Sequence, residues 1–248
     1  MSQLVLITGG SRGIGAATAL LAAQQGYAVA VNYSANSLAA DEVVRQIRQA
    51  GGQAMAVQAD VANETQVVAM FEKIDAKFGR LSALVNNAGV VDQTTRVDAI
   101  SLQRLQRMFE INVFGSFLCA REAVRRMSTR YGGTGGSIVN VSSVAARLGA
   151  PGQYVDYAAA KGAIDTFTIG LSKEVAAEGI RVNAVRPGII ETDIHASGGL
   201  PHRAREMAPQ VPMQRAGTAR EVAESIVWLL GESSSYTTGA LLDVTGGR

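Results

Sequence analysis

Short apolar runs and longer helical stretches alternate along the whole chain. The apolar runs predict seven strands, at residues 4–8, 28–33, 53–58, 83–86, 137–141, 181–186 and 240–244. Helical periodicity predicts six helices, near residues 14–25, 38–50, 64–78, 102–127, 155–177 and 219–230. Strands that are apolar on both faces belong in a buried parallel sheet. The alternation therefore predicts an α/β fold, a doubly wound parallel sheet of about seven strands with helices on both faces.

Glycines mark several predicted helix ends, where a left-handed C-cap favours this residue: Gly26, Gly51, Gly79, Gly179 and Gly231. No linker, repeat or low-complexity tract interrupts the pattern, so we expect a single domain over residues 1–248. Residues 191–213 are the exception, because they follow the sixth strand with three prolines, two histidines and a Gly-Gly pair. A long irregular insert at a strand end predicts a mobile lid over a site.

Composition narrows the class of protein. The 248 residues carry a net charge of +2, and the basic residues are spread along the chain without a stripe typical of nucleic-acid binding. No apolar run approaches the ~20 residues of a membrane helix. The first apolar segment has no basic stretch before it, so no signal peptide is expected. The single cysteine, Cys119, fits a reducing compartment. We expect a cytoplasmic protein that binds a small molecule, with no nucleic acid and no membrane as partner.

The loop after the first predicted strand reads TGGSRGIG, at residues 8–15. Glycines there let the backbone approach a pyrophosphate, whose charge meets the N–H groups at the start of the next helix. The Gly-x-x-x-Gly-x-Gly spacing is one residue longer than the common dinucleotide fingerprint. We expect this loop to contact a dinucleotide through Gly9, Ser11, Arg12, Gly13, Ile14 and Gly15.

The end of the second predicted strand bears on which dinucleotide binds. NAD sites usually present an acid here for the ribose 2′-OH, whereas this strand ends in Asn32, Tyr33 and Ser34. The forked donors of Arg12, within the glycine loop, suit a 2′-phosphate. These features favour NADP(H) as the cofactor, while neutral Asn32 leaves NAD(H) open as an alternative.

Tyr157 and Lys161 stand four residues apart on the predicted helix 155–177, which places them on one face. A free phenol titrates near pH ~10, and a positive charge within ~4–6 Å lowers that pKa. Reaching a pKa of ~7 requires roughly 4 kcal/mol of differential stabilisation. We expect Lys161 to lower the pKa of Tyr157 and a second positive charge to contribute.

Taken in order, these motifs resemble the short-chain dehydrogenases/reductases over essentially the whole chain. The resemblance rests on the glycine loop, on residues 60–61 and 86–89, on Asn112, Ser143, Tyr157 and Lys161, and on residues 187–188 with Thr192. It is nearest to the single-domain subgroup that includes 3-oxoacyl carrier protein reductases and glucose 1-dehydrogenases. It implies a Rossmann-like fold, a nicotinamide cofactor, and a homotetramer or homodimer built partly from the helices that carry Asn112 and Tyr157.

The resemblance also implies roles for four candidate catalytic residues. Tyr157 is the expected proton donor and acceptor for the substrate oxygen, and Lys161 is expected to bind the nicotinamide ribose. Ser143 is expected to hydrogen-bond the substrate oxygen, with Ser142 as its rival because strand alternation does not decide between them. Asn112 is expected to hold a water that links Lys161 to solvent.

Further cofactor contacts follow from the same resemblance. Asp60 and Val61 correspond to residues beside the adenine. The remaining expected contacts involve the adenosine ribose or the nicotinamide: Asn87, Ala88, Gly89, Tyr157, Lys161, Pro187, Gly188, Ile190 and Thr192. No metal site is expected, because His195 and His202 have no cluster of further ligands around them.

The resulting functional hypothesis is an NADP(H)-dependent oxidoreductase that interconverts a carbonyl and an alcohol by hydride transfer. Within that class, acyl-thioester reduction and sugar or polyol oxidation with NAD or NADP both remain open. Glu178 disfavours docking of an acidic acyl carrier protein, for which family members offer a basic residue near this position. The remote alternative is a non-catalytic nucleotide-binding scaffold, which the presence of both Tyr157 and Lys161 disfavours.

Overall fold

Seven parallel strands form the central sheet of the protein. The structure, a computed structural model, describes residues 3–248 apart from the side chain of His195. The strands run in the spatial order β3-β2-β1-β4-β5-β6-β9. Their bounds are β1 Leu4–Ile7, β2 Ala28–Tyr33, β3 Ala54–Gln58, β4 Ala83–Asn86, β5 Gly136–Val141, β6 Ile180–Pro187 and β9 Leu241–Val244. A separate parallel pair joins β7 Ile190–Glu191 to β8 Gly217–Thr218. The doubly wound α/β sheet predicted from the sequence is confirmed.

Six long helical segments cover the two faces of the sheet. They are α1 Gly13–Gln24, α2 Ser37–Gln49, α3 Glu64–Phe78, the pair α4 Leu102–Phe109 and α5 Gly115–Met127, α7 Val155–Val175 and α10 Ala219–Leu230. Short helices are α6 Ala145–Leu148, α8 Ile194–Ser197 and α9 Arg203–Met207. Polar residues fix several starts, as where Asn36 accepts from the Ala39 N–H and Thr218 forms a capping box with Glu221.

The strands bury both faces, as their composition predicts. In β1, Leu4 and Leu6 join a core with α3, α5 and α7, whereas Val5 and Ile7 join a second core with α1, α2 and α10. The chain leaves β1 in one direction, through β2 and β3, and resumes on the other side at β4. The crevice between β1 and β4, at the carboxyl ends of the strands, is therefore where a ligand is expected in such a sheet.

Three local features differ from the sequence-based expectation. Residues 102–127 do not form one regular helix, because a π-helical segment, Glu110–Phe114, separates α4 from α5. Residues 191–213 are less irregular than expected, since α8, α9 and a 3₁₀ turn at Ala208–Gln210 lie there. Gly231 is extended, with φ −79° and ψ 173°, whereas Gly26, Gly51, Gly79 and Gly179 have positive φ. Within residues 3–248, no helix is long and apolar enough to cross a bilayer.

Candidate active site

A cavity of about 870 Å³ opens at the carboxyl ends of the strands. That size lies in the usual range for small-molecule and cofactor sites. Twenty of the expected site residues line it: Gly9, Ser11, Arg12, Gly13, Ile14, Asn32, Tyr33, Ser34, Asp60, Val61, Asn87, Ala88, Gly89, Ser143, Tyr157, Lys161, Pro187, Gly188, Ile190 and Thr192. Two do not line it, Gly15 and Asn112. The fold thus brings residues from the end of nearly every strand into one wall.

The glycine loop turns directly from β1 into α1. Gly9 and Gly13 have φ +59° and +53°, a region that side chains rarely adopt. A Cβ at Gly13 would lie 3.3 Å from the Thr192 methyl carbon, so the missing side chain keeps a gap open between the loop and Thr192. Because the N–H groups at the start of α1 have no intrahelical acceptors, this gap suits a pyrophosphate. The residues present therefore fit a dinucleotide.

Gly15 has a packing role instead of the expected cofactor contact. It is buried, and a Cβ there would lie 2.6 Å from the Asn87 amide nitrogen and against the Gly9 carbonyl oxygen. The absence of a side chain lets the first turn of α1 lie against the loop and the end of β4. Gly15 is thus behind the wall of the cavity and shapes it from there.

Two polar side chains tie the glycine loop to neighbouring strands. Asn87 donates from its amide to the carbonyls of Thr8 and Gly9, at 2.9 and 3.0 Å. Asn32 accepts from the Gly9 N–H at 3.2 Å and donates to the Val57 and Ala59 carbonyls. Asn32 is 2% exposed, so its amide is engaged with the backbone of three segments. Its main contribution to a cofactor site is the position of the loop.

Tyr157 and Ser143 meet in the middle of the cavity. Ser143 is close enough to Tyr157 to stabilise its phenolate form, and Ser143 Oγ accepts from the Ala145 N–H at 3.1 Å. Burial raises the pKa of Tyr157 to about 12, and Ser143 opposes that rise. Tyr157 is therefore a protonated phenol at neutral pH.

Lys161 lies on the same face of α7, with its ammonium hydrogen-bonded to the backbone of β5. Its Nζ donates to the Val141 carbonyl at 2.8 Å and lies 5.5 Å from the centroid of the Tyr157 ring. Burial lowers the pKa of Lys161 to about 8, partly offset by Asp165 one turn along the helix. Desolvation of the phenol dominates the pKa of Tyr157 in this structure, and Lys161 is not among the groups that lower it. The expected lowering by Lys161 stays a prediction.

Similarity to known proteins adds to this geometry. A family model described as enoyl-(acyl carrier protein) reductase matches residues 9–248. A solved structure, a mutant of a Serratia marcescens short-chain dehydrogenase/reductase, superposes with a TM-score of 0.90 at 32% identity and covers 99% of this chain and 97% of that one. The chain belongs to the short-chain dehydrogenase/reductase family.

Two curated relatives extend over almost the same length. The uncharacterized oxidoreductase YgfF of Escherichia coli is 59% identical over 245 residues, 99% of each chain. The cis-4-hydroxycyclohexanecarboxylate dehydrogenase of Sinomonas cyclohexanicum is 40% identical over 248 residues, 99% of this chain and 96% of that one. The protein is an oxidoreductase of the short-chain dehydrogenase/reductase family, which acts on alcohol or ketone groups and uses NAD(P).

Asn112 anchors a wall of this short-chain dehydrogenase/reductase from behind. It lies in the π-helical segment, fully buried, and its amide donates to the carbonyls of Val90 and Met108, both at 3.0 Å. Its Oδ1 accepts from the Val90 N–H at 3.2 Å and lies 2.8 Å from where a Gly89 Cβ would be. These bonds fix the chain after β4, a role that the sequence reasoning did not include; the relayed water stays a prediction.

The two candidate serines point in different directions. Ser142 Oγ donates to the Lys161 carbonyl at 3.2 Å and is 2% exposed, so it faces the backbone of α7. Ser143 faces Tyr157 across the cavity. The tertiary structure therefore separates two residues that strand alternation did not.

Several other expected residues line the cavity with their side chains buried or hydrogen-bonded elsewhere. Val61 and Ile190 are 5% exposed, and their side chains belong to the two cores. Asp60 keeps a carboxylate at the cavity while accepting from the Ala62 N–H at 3.0 Å. At Gly188, a Cβ would lie 2.8 Å from Thr245, so glycine permits close approach to the chain after β9.

Sequence reasoning missed two kinds of site residue. Thr8 is 1% exposed, and its hydroxyl donates to the Val85 carbonyl and accepts from the N–H groups of Asn87 and Ala88, both at 3.0 Å. Its place at the end of β1 was the only available signal. The second kind comprises Arg203 and Met207 of α9 and Arg107 of α4. These residues line the cavity but belong to no recognisable motif.

Proposed function

We propose that this protein is an NADP(H)-dependent reductase or dehydrogenase in which Tyr157 exchanges a proton with the oxygen of a carbonyl/alcohol pair. The observation that carries the proposal is the meeting of Tyr157, Ser143 and Lys161 in the cavity that the glycine loop also lines. A nicotinamide cofactor, when bound, supplies or accepts the hydride. Gly9, Gly13 and the start of α1 would hold its pyrophosphate.

Ser143 and Tyr157 have different roles at the substrate oxygen. Ser143 donates a hydrogen bond that polarises the carbonyl, and the protonated Tyr157 phenol supplies the proton as the carbonyl is reduced. In the oxidative direction, Tyr157 must first be a phenolate to accept that proton, and its raised pKa opposes formation of the phenolate at neutral pH. A positive charge close to the phenol oxygen favours the phenolate.

A screen of NADPH and NADH consumption tests the function directly. We expect at least one class among ketones, 3-oxoacyl thioesters and quinones to be reduced, or a sugar to be oxidised in the reverse direction. A protein that binds NADPH but turns over none of these would support the scaffold alternative instead.

Arg12 supports the choice of NADP(H). It is exposed at the N-cap of α1, beside Tyr33 and Ser34, and has no carboxylate partner in the described part of the chain. We expect Arg12→Gln to raise the KM for NADPH about tenfold or more, since a charge-assisted hydrogen bond contributes roughly 1.5–3 kcal/mol. Initial rates with NADPH and NADH measure this. Arg45→Gln, on α2 outside the cavity, is the charge-matched control, and an equal loss with NADH would contradict the assignment.

The paired serine variants test the hydrogen bond to substrate. We expect Ser143→Ala to lower kcat by about 10²-fold, in the range for loss of an oxyanion donor. Ser142→Ala removes a bond to the backbone of α7, so its expected cost is about 1 kcal/mol of stability and a smaller kinetic change. Steady-state kinetics and urea unfolding of both variants distinguish the two roles. The reverse order of kinetic effects would contradict the assignment of Ser143.

Two substrate alternatives remain within the proposal. The description of the matching family model favours acyl carrier protein substrates. Against them, Glu178 accepts from Ser128 Oγ at 2.5 Å, which fixes an acidic group where a basic one would favour an acidic carrier. The name of the Sinomonas relative favours a carboxylated cyclic alcohol. Sugar or polyol oxidation has no specific observation in its support.

The proposal includes a cytoplasmic location and a homodimer or homotetramer. The helices that carry Asn112 and Tyr157 support self-association, because Phe114, Phe117 and Ile169 are 54%, 47% and 38% exposed there. Cys119 is buried and free, which agrees with a reducing compartment.

A further inference from the structure

An arginine within residues 191–213 lines the cavity. Arg203, in α9, donates from Nη2 to Gln153 Oε1 at 2.6 Å. Its guanidinium carbon lies 5.3 Å from the centroid of the Tyr154 ring. Because Arg carries five N–H donors in a rigid plane, these contacts orient the group while leaving most of its donors available.

Arg203 has no acidic partner among the described residues, unlike three other partly buried arginines. Arg104, Arg126 and Arg186 each form an ion pair at 2.7–2.8 Å, with Asp156, Asp75 and Asp165 respectively. Arg203 forms no ion pair with any residue that the structure describes, although it is partly buried and lines the cavity. A partly desolvated cation with free donors is best satisfied by an anion.

More cationic than anionic side chains line the cavity with Arg203. Arg107 of α4 and Arg248 line the same cavity, and neither has a carboxylate partner among residues 3–248. Two carboxylates line the cavity, Asp60 beside the glycine loop and Asp193 near α8. Arginine side chains thus outnumber carboxylate side chains in the cavity wall, which favours a positive potential that attracts an anionic substrate.

We propose that Arg203, held by Gln153 and Tyr154, binds a carboxylate group of the substrate. A carboxylate matches the planar fork of a guanidinium through two parallel hydrogen bonds. Tyr154 precedes α7 by one residue and Tyr157 lies three residues further on, a rise of about 4.5 Å along the helix. Arg203 thus contacts a residue that lies about one helical turn from the proposed proton donor, and the proposed substrate is a small oxo acid or hydroxy acid. Apolar Leu148, Ile194 and Met207 also line the cavity and suit its carbon skeleton.

This inference rests on the proposed function. Its kinetic test compares kcat/KM for a free acid with kcat/KM for the matching methyl ester. The pairs are 4-oxopentanoate and 4-oxocyclohexanecarboxylate, each against its methyl ester, with NADPH. We expect the parent to favour the free acid in kcat/KM by about tenfold or more, the usual contribution of a hydrogen bond to a charged group. In Arg203→Gln the preference for the acid disappears. Arg205→Gln, on the same helix but outside the cavity, keeps it.

A binding measurement that needs no turnover tests the anion site at Arg203 independently of the proposed oxidoreductase function. Benzoate, methyl benzoate and phenyl phosphate are titrated into the protein with NADP⁺ present, with the shift in Tm as the readout. We expect benzoate alone to stabilise the parent, and Arg203→Gln to abolish that shift. If no carbonyl is reduced but benzoate binds through Arg203, the proposed function fails while the anion site stands.

Other outcomes overturn the anion site. Reduction of the esters as fast as the acids, with the same ratio in Arg203→Gln, removes the carboxylate from recognition while the oxidoreductase function stands. Tighter binding of phenyl phosphate than of benzoate assigns the site to a phosphate. Preferential turnover of 3-oxoacyl thioesters without a free carboxylate also contradicts the inference.

Discussion

Tyr157→Phe is expected to lower kcat/KM by about 10³-fold while NADPH binding is retained. General acid–base groups usually contribute 10²–10⁴-fold, and Ser143 is placed to favour loss of the proton from this phenol. The ring itself packs against Met108, Val113 and Ala160, and phenylalanine keeps those contacts. Initial rates with a good carbonyl substrate, together with NADPH fluorescence titration, measure the two effects.

The control for this variant is Tyr131→Phe, which removes a hydroxyl from a side chain that is 54% exposed and outside the cavity. It is expected to behave like the parent. If Tyr157→Phe reduced the substrate at the parent rate, the proton would have to come from another group and the proposed role would be wrong. Loss of NADPH binding together with activity would point instead to collapse of the site.

Lys161→Met is expected to remove activity by a comparable factor without destabilising the fold at neutral pH. Burial lowers the pKa of Lys161 from 10.5 to about 8, a difference that corresponds to roughly 3 kcal/mol unfavourable to the folded state. Methionine removes this term but leaves the Val141 carbonyl unpaired, at a cost of about 1–3 kcal/mol. The two terms nearly cancel, so the free energy of unfolding at pH 7 should be unchanged or slightly higher.

The difference in free energy of unfolding between the parent and Lys161→Met is expected to change with pH in one direction. Below about pH 8, Lys161 is charged in both the folded and the unfolded state, and the burial penalty acts in full. Between about pH 8 and 10.5, the folded protein has released this proton while the unfolded chain retains it, so the parent gains stability relative to Lys161→Met as the pH rises. Urea unfolding of both proteins at neutral and alkaline pH measures this difference in stability.

Lys173→Met serves as the matched control, because Lys173 is exposed on the same helix. We expect it to retain activity and to show no such pH trend. A Lys161→Met protein that kept its activity but unfolded more easily would establish Lys161 as a structural residue. The expected pattern, lost activity with retained stability, is typical of a charge that is buried for function.

The sequence determined the sheet and the content of the cavity wall. Strands such as β1, with Leu4 and Leu6 on one face and Val5 and Ile7 on the other, are apolar throughout because both faces are covered. Once the order of strands and helices is known, the loops that follow the strands must meet at one edge. The glycine loop, the residues after β4, Ser143 and Tyr157 therefore share a cavity that the order of motifs predicts.

Local spacing was insufficient where a tertiary contact competes with it. The four-residue interval from Tyr157 to Lys161 places both side chains on one face, but it does not predict that the Lys161 ammonium donates to the Val141 carbonyl of β5. In the same way, the periodicity of residues 102–127 predicts one regular helix, whereas Asn112 lies in a π-helical segment. There its side chain donates to the carbonyls of Val90 and Met108. Such contacts join segments that are far apart in the chain, so no local pattern encodes them.

The sequence by itself thus determined the fold class, the glycine loop and the candidate for the proton donor, because these depend on local periodicity and on residues within one loop or helix. Only the tertiary structure decided which serine faces Tyr157, that Gly15 and Asn112 support the wall from behind, and that Arg203 enters the cavity from the lid. Those outcomes depend on the direction of a side chain at the meeting point of distant segments, and burial and hydrogen bonding set that direction only after the sheet has formed.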